Sequence, residues 1–179
     1  FTKHAVGKYE LAVRTFDHKK EQLNDAELFA TLQEMTRAKN AIVEMPVAAV
    51  WHKGKTHIAS IWKKNTSMLV DFLYSAKNQE IKEKAADGAV REMARLHAAG
   101  YTHGHLMNNF TIGKNGEVKI IDYSHLKKEG NQHEEAEVAA FLLSMQLVKP
   151  GAKNDTQISN RLMRKYEGYK NKFAEKAAA

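Results

Sequence analysis

The feature that most constrains the fold is a hairpin pattern in the second half of the chain. Two short apolar runs, FTIGK and EVKIID, flank Asn115-Gly116, and Asn-Gly between such runs is the strongest short-range signal for a type I′ turn. Counting outward from that turn, Thr111 faces Ile120. Two positions further from the turn, Asn109 faces Asp122, with Cβ atoms about 5 Å apart. The pattern therefore predicts a hairpin whose open end carries an amide opposite a carboxylate.

This amide–carboxylate pair has two interpretations. A carboxylate that ends an apolar run such as residues 118–121 is partly desolvated and favours a cation. The Asp122 and Asn109 oxygens together form a hard ligand pair that suits Mg²⁺, with phosphate oxygens and water completing the octahedron. Alternatively, both side chains cap a turn and hydrogen-bond to the backbone. Geometry alone leaves both interpretations open.

Composition restricts the class of protein. The 179 residues include no cysteine, which excludes disulfides and thiolate metal sites and agrees with a reducing, cytoplasmic compartment. No apolar run approaches the roughly 18 residues of a membrane span, and no signal peptide is visible. The net charge of +7 favours acidic partners such as nucleotides, phosphates or nucleic acid.

Strand patterns dominate the first third of the chain. YELAVRTF, residues 9–16, is rich in aromatic and β-branched residues and predicts a strand. A helix with Asn24 or Asp25 as its N-cap follows. Two further strands, at 41–51 and 55–62, are joined by a turn at Lys53-Gly54, and Pro46 indicates an edge position or a bulge in the first of them.

Helical patterns dominate the remainder. They predict a helix from about Asn65, a longer one from Gln79 to Ala99 with Gly100 beyond its end, a third that begins HEEAE, and a basic last helix over 156–175. The three glutamates in the first turn of the third helix suit the helix dipole. The longer helix is expected to bury one face, which carries Ile81, Ala85, Val90, Met93, Ala94 and Leu96. The predicted fold class is thus α+β, with a small β-rich lobe at 1–64 and a mainly helical lobe at 65–176, hinged near residues 62–66. Residues 177–179, three alanines, have the composition of a cloning scar.

The segment LHAAGYTHGHLMNNFTIGKNGEVKIIDYSHL, residues 96–126, resembles the catalytic core of the protein-kinase-like superfamily. In that family a helix ending in Leu-His precedes an H-G-D or H-R-D loop, an Asn, a hairpin and a Mg²⁺-binding Asp. The H-G form is most similar to the compact atypical kinases (RIO, lipopolysaccharide-kinase-like and aminoglycoside-phosphotransferase-like). The resemblance implies a two-lobed kinase-like fold that binds Mg·ATP and transfers phosphate to a hydroxyl of a protein or a small molecule.

The resemblance assigns roles to four residues of this segment. Asp122 and Asn109 match the Mg²⁺ ligands, and His103 matches the histidine that supports the catalytic loop. His105 stands where the family has its catalytic Asp, and the loop from His105 to Asn109 is one residue shorter than the family pattern. An imidazole is able to act as a general base near neutral pH, so His105 would orient or deprotonate the acceptor hydroxyl.

In the amino-terminal lobe, Arg14 in LAVRTF stands at the position of the phosphate-binding lysine. Arginine binds α- and β-phosphates bidentately and is always charged. Its partner carboxylate on the following helix would be Glu27 or Glu34, and the sequence does not choose between them. The only glycine among the first 50 residues is Gly7, so a Gly-rich phosphate loop either lies upstream of Phe1 or is lacking.

Three alternatives compete with an active kinase. His105, Arg14 and the missing glycine loop favour a pseudokinase, which would serve as a scaffold. The last helix carries cations and tyrosines that would suit nucleic acid, although such a helix more often packs its aromatics on the core; these residues are Arg161, Arg164, Lys165, Tyr166, Tyr169, Lys170 and Lys172. Five histidines, at positions 97, 103, 105, 125 and 133, would suit a transition metal, but His97 is better explained as a packed core residue.

Overall fold

The computed structural model describes residues 2–7, 9–17, 30, 45–62, 66–121, 126–127, 133–147 and 155–178. The chain divides into two compact units, Phe1–Asn65 and Thr66–Ala179. The first unit is built on an antiparallel sheet and the second is mainly helical, so the α+β class is confirmed. The division falls within the segment 62–66, where the sequence places the boundary.

The first unit contains a four-stranded antiparallel sheet in the order β1-β2-β4-β3. Its strands are β1 (Thr2–Val6), β2 (Tyr9–Asp17), β3 (Met45–His52) and β4 (Lys55–Trp62). β3 and β4 are joined by Lys53 and Gly54, which both have a positive φ, at 50° and 72°. Two successive positive φ values define the type I′ turn that matches strand twist, and the predicted hairpin is confirmed.

Strand β3 lies at one edge of this sheet and is bulged. Pro46 pairs with Ser60, whereas Ala48 pairs with Ala59, so Val47 is the extra residue. Both interpretations of Pro46, an edge strand and a bulge, are therefore correct. The helix predicted from Asn24 lies outside the described residues, apart from Ala30.

The second unit contains a three-stranded antiparallel sheet in the order β5-β6-β7. Its strands are β5 (Thr66–Met68), β6 (Phe110–Gly113) and β7 (Val118–Ile120). The prediction of a helix from Asn65 is wrong at its start, because Thr66 and Ser67 pair with Gly113 and Ile112 before helix α1 begins. Backbone pairing with β6 outweighs the local helical pattern there.

Four helices complete the described part of the second unit: α1 (Leu69–Ser75), α2 (Gln79–Ala98), α3 (Glu134–Leu147) and α4 (Asp155–Ala178). Asn78 is the N-cap of α2, and its side chain accepts hydrogen bonds from the N–H groups of Glu80 and Ile81. Gly100 follows the C-terminal end of the helix and has a φ of 81°. The Gly100 N–H donates to His97 O at 2.8 Å and the Tyr101 N–H donates to Leu96 O at 3.3 Å. These two bonds form the Schellman motif that a C′ glycine allows, as predicted.

Helix α2 is the centre of this unit and packs against both β7 and α4. The predicted buried residues Ala85, Val90, Met93, Ala94 and Leu96 all lie in the core. Ile81 was also predicted to be buried, but 49% of it is exposed, because it lies in the first turn, at the end of the interface. Gly88 allows the close approach of β7, since a Cβ there would lie 2.8 Å from Val118 Cγ2.

A buried carboxylate also links α2 to β7. Glu92 lies 3.4 Å from Arg95, 3.5 Å from Lys119 and 3.8 Å from Arg91. Burial raises the pKa of Glu92, and the surrounding cations offset only part of that shift.

No helix in the described part of the chain is both long enough and apolar enough to span a membrane.

Candidate functional site

The turn between β6 and β7 has three residues, not two. The Gly116 N–H donates to Gly113 O at 2.9 Å, and the Gly113 N–H donates to Glu117 O at 2.9 Å. Gly116 has a φ of 79°, whereas Asn115 does not have a positive φ. A type I′ turn needs positive φ at both central residues, so the predicted turn is wrong. The loop is instead a type I turn followed by a glycine bulge.

The extra loop residue shifts the register of the whole hairpin by one position. Thr111 pairs with Lys119, and not with Ile120. The Ile121 N–H donates to Asn109 O at 2.8 Å, so Asn109 lies opposite Ile121. Because a one-residue shift moves a side chain to the other face of a strand, the predicted Asn109–Asp122 cross-strand pair is also wrong. Asp122 itself lies outside the described residues, and its role as a metal ligand now rests on the resemblance alone.

His103 lies at the centre of the site and is completely buried. Its Nε2 lies 3.0 Å from Ile121 O, and its Nδ1 accepts a hydrogen bond from the His105 N–H at 3.3 Å. A backbone N–H only donates, so Nδ1 is the unprotonated nitrogen and Nε2–H donates to the Ile121 carbonyl. His103 is therefore a neutral imidazole that ties the loop to the residue before Asp122.

We call His103, Gly104 and His105 the HGH loop, and a carboxylate on α3 binds its other side. Glu137 Oε1 accepts from the Gly104 N–H at 2.5 Å, and Glu137 Oε2 accepts from the His103 N–H at 3.1 Å. His97 Nε2 lies 2.9 Å from the same Oε2. Burial alone would raise the pKa of Glu137, but the hydrogen bonds from His97 and the two amides together outweigh burial and lower it.

Glu137 is a residue that the sequence analysis missed. The three glutamates of the first turn of α3 were attributed to the helix dipole, yet Glu137 faces inward. Its position inside the apolar run AEVAAFLL was the available signal that Glu137 is buried. A buried carboxylate needs hydrogen-bond donors from the protein.

His97 is a buried core histidine, as predicted, with both ring nitrogens engaged. Its Nδ1 lies 2.7 Å from the Tyr166 hydroxyl, while Nε2 bonds Glu137. His103 uses both of its nitrogens in the same way, so neither ring offers a lone pair to a metal. Within the described residues there is no group of three or more metal-ligating side chains. His125, another member of the proposed histidine set, lies outside them.

His105 and Asn109 close the other end of the loop. The Asn109 side-chain Nδ2 donates to His105 O at 2.7 Å, across the short 3₁₀ turn Leu106–Asn108. The His105 backbone is thus held at both its N–H and its carbonyl, while its side chain is exposed. The HGH loop therefore presents the exposed side chain of His105 on a backbone held by neighbouring groups.

The other predicted site residues belong to the first unit or lie outside the described residues. Arg14 is a half-buried residue of β2 in the first unit, where it pairs across the sheet with Ile58. Glu27 and Glu34, like Asp122, lie outside the described residues. The structure thus brings together three of the predicted residues, His103, His105 and Asn109, in a single loop.

Comparison with known protein families finds no matching family model, and comparison with curated proteins finds no match. Kinase-like identity therefore stays a prediction from the motif.

Proposed function

We propose that the chain is a Mg·ATP-dependent phosphotransferase of the protein-kinase-like type, acting on a hydroxyl of a protein or a small molecule. The observation that carries the proposal is the pair of attachments of the HGH loop. His103 ties it to the Ile121 backbone, and Glu137 binds two of its amides. Phosphoryl transfer depends mostly on positioning and charge neutralisation, so the loop that holds the acceptor must keep a fixed backbone.

His105 is the best candidate for the group that orients or deprotonates the acceptor hydroxyl. Its side chain is exposed, whereas His103 is completely buried. An accessible imidazole is able to accept a proton near neutral pH. It carries no negative charge, so it would act as a base and an orienting group only.

Two oxygen donors would hold the metal. The Asn109 amide nitrogen donates to His105 O, so its Oδ1 is the atom suited to a hard cation, and Asp122, which follows Ile121 in the sequence, would supply the carboxylate. Bound Mg²⁺ would neutralise charge on the phosphates. The family resemblance also assigns Arg14 to the phosphates, with Glu27 or Glu34 as its partner.

A nucleotide-binding scaffold without transfer activity is the second candidate. It is favoured by one observation, the presence of His105 where the family has an aspartate. The attachments of the HGH loop would give such a scaffold the same rigid backbone, so binding and transfer must be measured separately.

The test is calorimetric titration with ATP, with and without Mg²⁺, followed by a transfer assay. We expect Mg²⁺-dependent binding that Asp122→Asn abolishes, while His105→Ala preserves binding and stops transfer. His133→Ala, at an exposed histidine before α3, serves as the matched control.

Each outcome has a distinct meaning. Absence of binding at millimolar ATP would overturn the proposal. Binding without transfer by the unaltered chain would identify the scaffold, and full transfer by His105→Ala would reject the role of His105.

A further inference from the structure

A residue of the last helix is bonded to the network that supports the HGH loop. Tyr166 on α4 is buried, and its hydroxyl lies 2.7 Å from His97 Nδ1. The two rings meet edge to face, with centroids 5.6 Å apart. Tyr166 and His97 are 69 positions apart in the sequence, so this contact is a tertiary link between α4 and α2.

The direction of each hydrogen bond in the network follows from its neighbour. Glu137 is an anionic acceptor for the two loop amides, so His97 Nε2 carries a proton and donates to it. In the neutral ring, His97 Nδ1 is then the acceptor, and the Tyr166 O–H donates to it. The result is a buried hydrogen-bond chain of Tyr166, His97 and Glu137 that ends at the backbone of His103 and Gly104.

We propose that Tyr166 is a positioning residue for the HGH loop. Its hydroxyl holds the His97 ring in one tautomer and one orientation, and His97 in turn holds the Glu137 carboxylate against the two loop amides. The last helix thereby sets the geometry of the loop. Only the catalytic consequence of this inference rests on the proposed function, because the chain of contacts exists whatever the loop does.

The last helix is itself held firmly enough for this role. Arg161 bonds Glu83 of α2 at 2.5 Å, and Lys165 lies 3.1 Å from Asp87, one turn further along the same helix. Leu162, on the same helix, is buried. The position of Tyr166 against His97 is therefore fixed on the side facing α2.

The test compares Tyr166→Phe with Tyr169→Phe. Tyr169 lies on the same helix, and its hydroxyl bonds Asp87 at 3.2 Å. Asp87 does not bond to the HGH loop. Each variant removes one buried or half-buried tyrosine hydroxyl and keeps the ring, so fold and helix packing are matched. The readouts are the ¹⁵N shifts of the His97 ring and the hydrogen exchange of the Gly104 amide, both by NMR.

We expect Tyr166→Phe to shift His97 Nδ1 and to accelerate Gly104 exchange about five- to tenfold, the effect of losing one supporting hydrogen bond. Tyr169→Phe should leave both values unchanged. If the chain also transfers phosphate, Tyr166→Phe should lower kcat and leave KM for the nucleotide unchanged.

Unchanged His97 shifts and Gly104 exchange in Tyr166→Phe would overturn the inference, as would equal effects of both variants. If Tyr166→Phe does not fold, the unaltered chain still decides: ¹⁵N shifts must assign the proton of His97 to Nε2, and the opposite tautomer would overturn the inference. These readouts do not need ATP. Failure of the proposed function is therefore distinguishable from failure of the proposal that Tyr166 positions the HGH loop.

Discussion

At the scale of single residues, the site depends on one inward-facing carboxylate. Glu137 accepts hydrogen bonds from three donors that come from two different segments, helix α2 and the HGH loop. An unbonded buried amide costs about 1–3 kcal/mol, so the loop would adopt a different conformation if this carboxylate were absent. Glu137 therefore links the local fold of the loop to the packing of the helices.

Glu137→Gln should reduce the free energy of unfolding by about 1–3 kcal/mol at pH 7. The folded-state pKa of Glu137 lies below its ordinary value of 4.5, so the unfolded state binds the proton more readily. The stabilisation is therefore present above that ordinary value and is lost as pH falls through the lowered pKa of the folded state. Urea unfolding at pH 3 and pH 7 measures both effects.

The control for this substitution is Glu135→Gln, which changes an exposed glutamate of the same turn and should have little effect at either pH. The destabilisation caused by Glu137→Gln should shrink at pH 3. A destabilisation of the same size at pH 3 and at pH 7 would contradict the assigned role of the carboxylate.

The residues that the sequence identified differ from those that it missed in whether they belong to a local motif. His97 was predicted correctly as a core histidine. His103, to which the resemblance assigns a supporting role, bonds to the backbone of Ile121 and His105. Both histidines belong to a short, contiguous motif. Glu137 and Tyr166 were missed as members of the site because their partners lie 33 to 69 positions away. Hydrogen bonds between residues so far apart in the sequence form only when the helices pack together. No local sequence pattern predicts them.

At the scale of elements, the β6–β7 hairpin shows why a correct element can have a wrong register. The Asn-Gly signal gave the correct strands, but it fits both a two-residue and a three-residue loop. The folded chain adopts the three-residue loop, in which Gly113 pairs with Glu117 and Gly116 takes the positive φ. The Glu117 side chain accepts from the Asn115 N–H at 3.2 Å, and this contact was not readable from the pattern.

Two glycines of the second unit should respond in opposite ways to alanine. Gly116→Ala should destabilise the chain by about 1 kcal/mol or more, because its φ of 79° strains any L side chain. Gly168→Ala, within α4 and with open space around a Cβ, should stabilise it by about 0.5–1 kcal/mol. Denaturant unfolding measures both changes.

The two glycine variants serve as controls for each other, since each adds a single methyl group. A stabilising Gly116→Ala would contradict the three-residue loop. A strongly destabilising Gly168→Ala would mean that this position of α4 contacts another part of the chain.

At the scale of the whole molecule, sequence patterns gave the α+β class, the order of most elements and the division near residue 65. The short strand β5 was missed because its three residues pair with a distant hairpin, and pairing of that kind overrides local propensity. The kinase-like identity of the chain rests on a motif and stays a prediction, whereas its class rests on observed strands and helices.

The cations of the last helix also have a role that their sequence did not reveal. Arg161, Lys165 and Lys170 pair with the carboxylates of Glu83, Asp87 and Glu134. Both tyrosines of that helix bond within the protein, as described above. These contacts favour the amphipathic interpretation of α4 over a nucleic-acid interface.

We accordingly expect weak affinity for single-stranded nucleic acid, with a shallow dependence on salt. The net charge of +7 would give some nonspecific attraction, but three of the six α4 cations are already paired with carboxylates, which reduces the number of counterions that binding would release. Fluorescence anisotropy with a labelled oligonucleotide between 50 and 200 mM salt, roughly the range over which such effects are large, measures the slope. A steep slope that Arg164→Ala reduces would contradict this expectation.

The bulged edge strand of the first unit has a consequence for how copies of the chain meet. β3 presents exposed apolar side chains at Val47, Val50 and Trp51, with 46%, 58% and 68% of each accessible. A straight edge of this composition would accept a strand from a neighbouring copy and start aggregation. The extra residue at Val47 interrupts the spacing of its hydrogen-bonding groups, and Pro46 has no N–H to offer. One proline and one inserted residue thus make the β3 edge of the sheet a poorer template for an added strand.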